Sequence, residues 1–525
     1  MAPTHDPLYR QRPFSSFRLA GLLVAAALAW PAHSGTLTWD GGNTGNGQSD
    51  GGDGTWDTNT TANWWNGAGD VVWPLAGGLD DDAVFADAVG TVTLSAVNAN
   101  DLTFNTTGYL IQGGTLTLDG TTPTLTAGPG ISATISSIIA GSAGLTKAGA
   151  GTITLQGVNT YTGGTTLGAS AGTLIARITT TQNSLSSGAV AIGTGSTVQI
   201  DKANTTGDVT IANAFTAAGS LQVLFAAGTT ARNTYLTGLS GFTGTLRLSN
   251  AGATGDKFNA GNAGTTAAAL IVDAGSQLFM NSGTAAFNGG INVQGTGNTE
   301  TRGAIRLIGT LGGNVTLAGN TTIGTEGGVM SGNITSGAAG TQTLTFGTAN
   351  SPGNASLSGI IGGGTGTLAL VKTQAGTVTL TGVNTFTGGT VINASSGTLS
   401  ARVTTGQTAL GTGAVSVGAG STLVIDNVNT ANNTLVTVSN AVTGTGTVRL
   451  NFAAGGSPRN TTLPGLTGFT GTLRLSNSGG NADKWNAANY TLNAALIIDS
   501  GSQLYVNTGP VSITGGINLQ GTGNT

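Results

Sequence analysis

Residues 151–165 read GTITLQGVNTYTGGT, and residues 376–390 read GTVTLTGVNTFTGGT, 225 positions further along the chain. A second stretch, 289–299, recurs at 515–525 with an offset of 226, and the two copies differ only by Leu in place of Val at one position. The chain therefore contains one long unit almost twice. Internal self-similarity of this kind is typical of repetitive architectures.

Short runs inside each unit, such as 152–155, 197–200 and 245–248, alternate branched apolar residues with polar residues. This period of two predicts β-strands, and the Gly, Asn and Asp residues that follow the runs favour tight turns. We predict an all-β fold, a parallel β-helix (β-solenoid) with coils of roughly 20 to 25 residues stacked about 4.8 Å apart. A sandwich of two antiparallel sheets is the alternative, but the thin core of a solenoid better suits a chain with 5% aromatic residues.

The composition indicates order without disulfide bonds. Only 7% of the residues are charged and 91 are Gly, yet 38% are hydrophobic and the mean hydropathy is +0.15, which argues against a disordered chain. There is no Cys, and the two His residues are His5 and His33. A chain that loses these two residues has no thiolate or imidazole for zinc, haem or nucleophilic chemistry.

The N-terminus resembles a secretory signal. Arg10, Arg12 and Arg18 precede an apolar run at 19–30, and a small-x-small cleavage pattern follows at 32–34. The run is too short to span a hydrocarbon core of roughly 30 Å. We predict a signal peptide at 1–34 and an exported protein with a net charge near −6, compared with −4 for the whole chain. That charge argues against nucleic-acid binding.

The segments 145–174 and 370–399 resemble the autotransporter-associated β-strand repeat, also called the passenger-associated transport repeat. The resemblance implies a right-handed β-helix of the pectin-lyase-like kind, displayed at the cell surface or released. It supplies no catalytic residues. Gln374 replaces Gly149 in the second copy, so we expect a different early turn there. The motif residues are Lys147, Gly151, Asn159, Tyr161, Gly163, Gly164, Lys372, Gly376, Asn384, Phe386, Gly388 and Gly389.

Each motif lysine is expected to charge a solvated strand edge and so prevent unwanted pairing. The repeats organise the remaining chain into four parts: an Asp- and Trp-rich cap with the first coils at 35–143, unit one at 144–300, connecting coils at 301–366, and unit two at 367–525. We expect unit two to be truncated. An outer-membrane barrel or a sorting anchor is expected beyond Thr525.

The segment from Gly35 to Thr146 contains no Lys or Arg but many Asp and Trp residues. We predict a cap whose indoles cover the first coil. Two other interpretations are open: calcium binding by Asp80, Asp81 and Asp82 or by Asp50 and Asp53, and a carbohydrate-stacking platform at 64–65.

Charged residues recur between the units, but they form no recognisable catalytic pattern. Their predicted positions are exposed strands and turns, with 256–257 at a loop tip. The recurring residues are Asp201, Arg247, Asp256 and Lys257 in unit one and Asp426, Arg474, Asp483 and Lys484 in unit two.

The sequence therefore predicts a non-enzymatic surface or secreted passenger without a cofactor, serving adhesion, aggregation or matrix display towards another cell or an extracellular polysaccharide. A solenoid that binds or cleaves polysaccharide is the alternative, and at least four charges converging on one face would favour it. A purely structural spacer is a third interpretation.

Overall fold

The structure is a computed structural model that describes residues 35–42, 44–74, 81–203, 207–225, 231–252, 254–428, 435–452, 458–477 and 482–523. The predicted signal peptide lies outside the described residues. Almost all regular structure is β, apart from a short 3-10 helix at Pro464–Gly468. Within the described ranges, no helix is long and apolar enough to cross a membrane.

Nearly all strand pairs are parallel, because each coil of the chain pairs with the coil before it and the coil after it. Thr165 pairs with Leu145 below and with Val190 above, so the two successive coils take 20 and 25 residues. The repetition of this arrangement along the chain confirms the predicted all-β parallel solenoid. The coils have up to three strand-bearing faces, which are called the first, second and third face below.

The first face runs from the N-terminal end to the C-terminal end of the described chain. A bridge between Ala217 and Phe242 and a hydrogen bond from Thr266 to Phe242 connect its two halves. Its strands are Thr36–Trp39, Asp82–Phe85, Leu102–Phe104, Thr124–Ala127, Leu145–Ala148, Thr165–Leu167, Val190–Ile192, Phe215–Thr216, Gly264–Thr266, Thr284–Phe287, Thr310–Gly312, Val329–Met330, Ala355–Leu357, Thr377–Leu380, Thr398–Thr404, Thr422–Asn427, Thr447–Phe452, Thr472–Asn477, Ala495–Ile498 and Ile517–Leu519.

The second face follows the first along each coil. Its strands are Gly54–Trp56, Thr91–Ala99, Tyr109–Leu118, Ser132–Ile135, Thr152–Leu155, Thr173–Ile178, Thr197–Lys202, Ser220–Phe225, Thr245–Asn250, Ala269–Val272, Ile291–Gly295, Val315–Thr325, Ile334–Ser336 and Ile361–Gly364. A separate sheet follows the first-face strands near the C-terminal end, with strands Leu435–Thr437, Asn460–Thr462, Lys484–Ala487 and Gln503–Val506.

The third face completes the coil. Its strands are Ile138–Ala140, Val209–Ile211, Asn233–Leu236, Lys257–Asn259, Leu278–Met280, Ile305–Leu307, Thr341–Phe346, Thr367–Lys372, Thr390–Ile392, Val415–Val417 and Val442–Gly444. The remaining strands are the parallel pair Tyr490–Leu492 and Val511–Ile513 and three antiparallel strands, Trp64–Trp65, Asp70–Val71 and Gln407–Thr408.

The core is a set of aliphatic stacks, because in-register coils place like residues above one another. Leu174 pairs with Val198, which pairs with Leu221, and all three side chains are buried. Their neighbours Thr173 and Thr197 pair with each other on the outside. Each buried Val or Leu contributes roughly 1.5 to 3 kcal/mol. Stability is therefore spread over many small contacts between neighbouring coils.

The two copies of the repeat do not lie on the same faces. Leu145–Ala148 is on the first face, but its counterpart in Thr367–Lys372 is on the third. Thr152–Leu155 is on the second face, whereas Thr377–Leu380 is on the first. The spacing of 225 residues does not correspond to a whole number of coils. The second copy is therefore turned by one face around the solenoid.

An aromatic cluster closes the N-terminal end. Trp39, Trp56, Trp64 and Trp73 are buried around Phe85, and contacting Trp rings have centroids 4.5 to 5.1 Å apart. Two short antiparallel strands extend the first face beyond Thr36–Trp39. These strands cover the edge that parallel stacking would otherwise leave open. The structure thus contains the predicted cap.

Candidate functional site in the repeat motif

The two motif lysines lie inside the solenoid, so the prediction that they are solvated is wrong. Lys147 is 0% exposed, and its Nζ donates to the carbonyl oxygens of Ala148, Gly149 and Ala171 at 2.7 to 2.8 Å. Lys372 is also buried and donates to main-chain oxygens of the corresponding turn. Burial lowers the pKa of both lysines to about 8. The ammonium groups cap turns; they do not charge an edge.

The motif asparagines connect three coils. Asn159 accepts a hydrogen bond from the amide of Ile139 at 2.8 Å and donates to the carbonyl of Ser184 at 2.8 Å. Asn384 makes the same two contacts in the second copy, with the amide of Ile361 and the carbonyl of Ala409, each at 2.7 Å. A buried side-chain amide thus satisfies main-chain groups where the strand ladder is interrupted.

The aromatic position differs between the copies. The hydroxyls of Tyr161 and Thr165 form a buried hydrogen bond of 2.7 Å. The second copy has Phe386 at this position, and the buried hydroxyl of Thr390 has no hydrogen-bond partner. The two rings fill equivalent space, but only the first copy completes the polar contact.

The motif glycines allow tight turns and close contact between coils. Gly164 and Gly389 have φ values of +86° and +81°, a region that residues with a Cβ atom rarely adopt. A Cβ at Gly163 would lie 2.2 Å from the amide nitrogen of Gly144. The early turn differs between the copies, as expected: positive φ occurs at Gly149 in the first and at Gly376 in the second.

A polar groove of about 600 Å³ lies beside the motif in the first copy. One wall is the outward turn 179–182, where the amide of Thr179 donates to the carbonyl of Gln182 at 2.9 Å. The groove continues past Val158 and Asn213, and most of its lining residues carry a hydroxyl or an amide group. It offers a concave surface with hydrogen-bonding groups and no ionisable side chain in its lining.

The second copy has only a narrow counterpart, of about 40 Å³, beside Val383 and Gln407. Here the outward turn is closed by two residue pairs, Val403 with Thr408 and Thr404 with Gln407. The first copy has a single bridge at this place, between residues 178 and 183. The duplicated motif therefore presents one open groove and one closed one.

Comparison with known proteins assigns the motif. The family model of the passenger-associated transport repeat matches residues 145–176 and 370–401. Both copies of the motif are therefore passenger-associated transport repeats. The BmaC autotransporter adhesin of Brucella suis biovar 1 (strain 1330) is 50% identical over 84 residues, which are 16% of this chain and 2% of that adhesin. The matched stretch thus spans a small fraction of that relative.

The buried acids that recur between the two units contradict the prediction of a loop tip. Asp256 is buried and pairs with Lys202 at 2.9 Å. Its counterpart Asp483 is buried in unit two and accepts two hydrogen bonds from Arg459, at 3.1 and 2.7 Å. The acid recurs at the same place, but Lys202 precedes Asp256 by 54 residues, about two coils, whereas Arg459 precedes Asp483 by 24 residues, about one coil.

Other recurring charges lie at the surface, as predicted. Arg247 pairs with Asp273, and Arg474 pairs with Asp499, each at 2.8 Å with the arginine about half exposed. The remaining recurring groups are also engaged: Asp201 contacts Arg177, Asp426 accepts from Asn451, and the Lys484 ammonium lies 4.9 Å from the ring centre of Tyr505.

Five charged side chains converge where unit one meets the connecting coils. Lys257 is buried, contrary to the prediction, and pairs with Glu300 at 2.8 Å. Glu326 accepts hydrogen bonds from Arg302 at 2.9 Å and from Arg306 at 3.0 Å. The cluster meets the count that would favour a polysaccharide site. Its charges, however, are paired with one another, and this pairing favours a role in holding the coils together.

Three of the carboxylates predicted as calcium ligands accept hydrogen bonds from main-chain amides. Asp81 accepts from the amide of Gly35, Asp82 accepts from the amide of Asp101, and Asp53 accepts from the amide of Thr91. Asp80 lies outside the described residues. In the part of the chain that the structure covers, no group of three or more His, Cys, Asp or Glu side chains has the arrangement of a metal site.

The two Trp residues predicted as a carbohydrate-stacking platform lie in different environments, one in the core and one at the surface. Trp64 is fully buried and contacts the rings of Trp39, Trp56 and Trp73. Trp65 is partly exposed. Because successive residues of a strand point to opposite sides, the two rings cannot form one stacking surface.

Proposed function

We propose that this chain is an exported, non-enzymatic part of an autotransporter adhesin, carried across the outer membrane by a translocator domain and displayed at the cell surface. The observation that carries this proposal is the repeat itself, which is matched by the passenger family and similar to part of an adhesin. The solenoid would hold long polar faces away from the cell, where they contact another cell, a matrix or a solid surface.

The motif chemistry supports a binding role over a catalytic one. Lys147, a candidate base because its pKa is near 8, is enclosed by the carbonyl groups of Ala148, Gly149 and Ala171 and has no route to a substrate. General base catalysis needs a group within hydrogen-bond reach of the proton that it removes. The buried Asn159 is likewise engaged by main-chain groups on both sides.

An adhesion assay tests the proposal. The complete gene is expressed in a non-adherent host, with and without an in-frame deletion of residues 35–523. We expect the intact protein to increase cell attachment to matrix-coated or abiotic surfaces, or cell-cell aggregation, at least severalfold. An unrelated passenger of similar length, exported at the same level, is the control. Equal attachment and aggregation with the intact protein and with the control would rule out the adhesive role.

A second candidate function is polysaccharide binding, favoured by the groove beside residues 179–182 and its hydroxyl and amide lining. Thr180 is exposed at this turn, and Thr405 is the exposed counterpart in the closed second copy. Thr180→Tyr should block the open groove and lower glycan-array binding at least tenfold, whereas Thr405→Tyr should have little effect. Equal glycan binding by both variants would place recognition elsewhere.

A further inference from the structure

A buried carboxyl group lies at the N-terminal cap, directly after the strand Thr36–Trp39. Asp40 is 0% exposed, and its Oδ1 accepts a hydrogen bond from the amide of Asp50 at 3.0 Å. Its Oδ2 is buried with no hydrogen-bond donor. Removing a carboxylate oxygen from water without a partner costs several kcal/mol in general. A cation or a proton is therefore expected to offset the charge at this atom.

A second carboxyl group faces the first. Asp70 accepts a hydrogen bond from the amide of Gly45 through Oδ2, and its Oδ1 is also buried without a donor. Burial raises the pKa of Asp40, and the amide of Asp50 opposes this change. Hydrogen bonding with the Asp70 carboxyl group and the charges of Asp70 and Asp50 raise the pKa further. The two carboxyl groups thus meet, and neither Asp40 Oδ2 nor Asp70 Oδ1 accepts a hydrogen bond from another group of the described chain.

No basic side chain of this segment can neutralise the pair, because residues 35–146 contain no Lys or Arg. The third acid, Asp50, is held by the side-chain amides of Asn46 and Gln48 at the same loop. The loop is also fixed by Trp39, whose indole nitrogen donates to the carbonyl of Gly52 at 2.8 Å. Negative charge therefore accumulates at a defined place between the loop and the aromatic cluster.

We propose that Asp40 and Asp70 bind a calcium ion, which joins the loop residues 44–53 to the short antiparallel strands of the cap. Carboxylate oxygens are hard ligands that suit Ca²⁺, and its flexible coordination of six to eight oxygens allows main-chain carbonyls and water to complete the shell. Zinc would require nitrogen or sulfur ligands in its usual sites. The ion would offset the repulsion between the carboxylates and stabilise the cap over the tryptophans.

Terbium luminescence tests this site, because Tb³⁺ occupies calcium sites and nearby indoles such as Trp39 and Trp64 sensitise its emission. With the full chain, we expect emission that Ca²⁺ displaces. Asp40→Asn and Asp70→Asn should each weaken Tb³⁺ binding at least tenfold. Asp57→Asn is the matched control, because Asp57 lies in the same segment and holds only the local turn to Thr61; this variant should bind normally.

Thermal unfolding gives an independent readout that also reports folding. The wild-type chain and Asp57→Asn should show a higher unfolding temperature in Ca²⁺ than in a chelator, whereas Asp70→Asn should unfold at the same temperature in both. If the two carboxyl groups share a proton instead, the wild type will bind no Tb³⁺ and its unfolding temperature will not depend on Ca²⁺. Either that result or unchanged Tb³⁺ binding in Asp70→Asn would overturn the proposal.

Discussion

The hydroxyl of Tyr161 lies 2.7 Å from the hydroxyl of Thr165, and the second copy of the repeat lacks this contact because Phe386 replaces the tyrosine. Thr390 therefore keeps a buried hydroxyl without a partner. The chain thus contains a natural pair of sites that differ by one oxygen atom in similar packing.

Exchanging the two aromatic residues should have opposite effects on stability. Tyr161→Phe should lower the free energy of unfolding by about 1 kcal/mol, because it leaves the hydroxyl of Thr165 unpaired. Phe386→Tyr should raise it by up to about 1 kcal/mol, since the new hydroxyl can reach Thr390. Urea unfolding measures both changes. Effects of the same sign would show that the two pockets are not equivalent.

Removal of a motif asparagine should be costly. Asn159→Ala leaves the amide of Ile139 and the carbonyl of Ser184 without their partner, at about 1 to 3 kcal/mol for each buried group. Hydrogen exchange should show faster exchange of the Ile139 amide. Asn105→Ala, at an exposed position, is the control and should change the stability by less than about 0.5 kcal/mol. A loss no larger than that of the control would contradict the coil-bridging role.

The buried lysines predict a stability that rises with alkaline pH. Burial lowers the folded pKa of Lys147 and Lys372 from 10.5 to about 8, so between these values the unfolded chain binds more protons than the folded chain. The free energy of unfolding should then increase with pH, by at most about 1.4 kcal/mol per pH unit for each lysine. Urea unfolding at pH 7.5, 8.5 and 9.5 measures the slope.

The double variant Lys147→Met with Lys372→Met should lose this slope over the same range. Above pH 10 the slope should reverse in both proteins, because burial raises the pKa of Tyr109 and Tyr161 to about 12 and the unfolded chain then loses its protons first. If the slope between pH 7.5 and 9.5 persists in the double variant, groups other than Lys147 and Lys372 cause it.

The buried and exposed ion pairs should respond very differently to the loss of an arginine. Arg459→Met leaves Asp483 buried without its main cationic partner and should cost roughly 3 to 5 kcal/mol. Arg474→Met removes a surface partner of Asp499 and should cost at most about 1 kcal/mol. Thermal and urea unfolding compare the two variants. Similar small losses would mean that water enters the Asp483 site.

The sequence predicted the fold because its signals are local. Alternation in segments such as 152–155 determines a strand, and glycines such as Gly164 determine the turn that follows. The inward position of Lys147 was also readable in principle, since it shares the parity of Leu145 in one strand. The charge of Lys147 argues against that position, but a lysine can lie inside when main-chain carbonyl oxygens accept hydrogen bonds from its ammonium group.

Sequence alone determined that this chain is a duplicated, all-β solenoid made of alternating strands and glycine turns. Only the tertiary structure decided that the second copy is turned by one face, that Asp256 meets Lys202 across 54 residues, and that Asp40 faces Asp70. Strand and turn preferences depend on a few neighbouring residues. Contacts between coils depend on the summed length of every coil between them, and an insertion of a few residues shifts all later contacts around the axis.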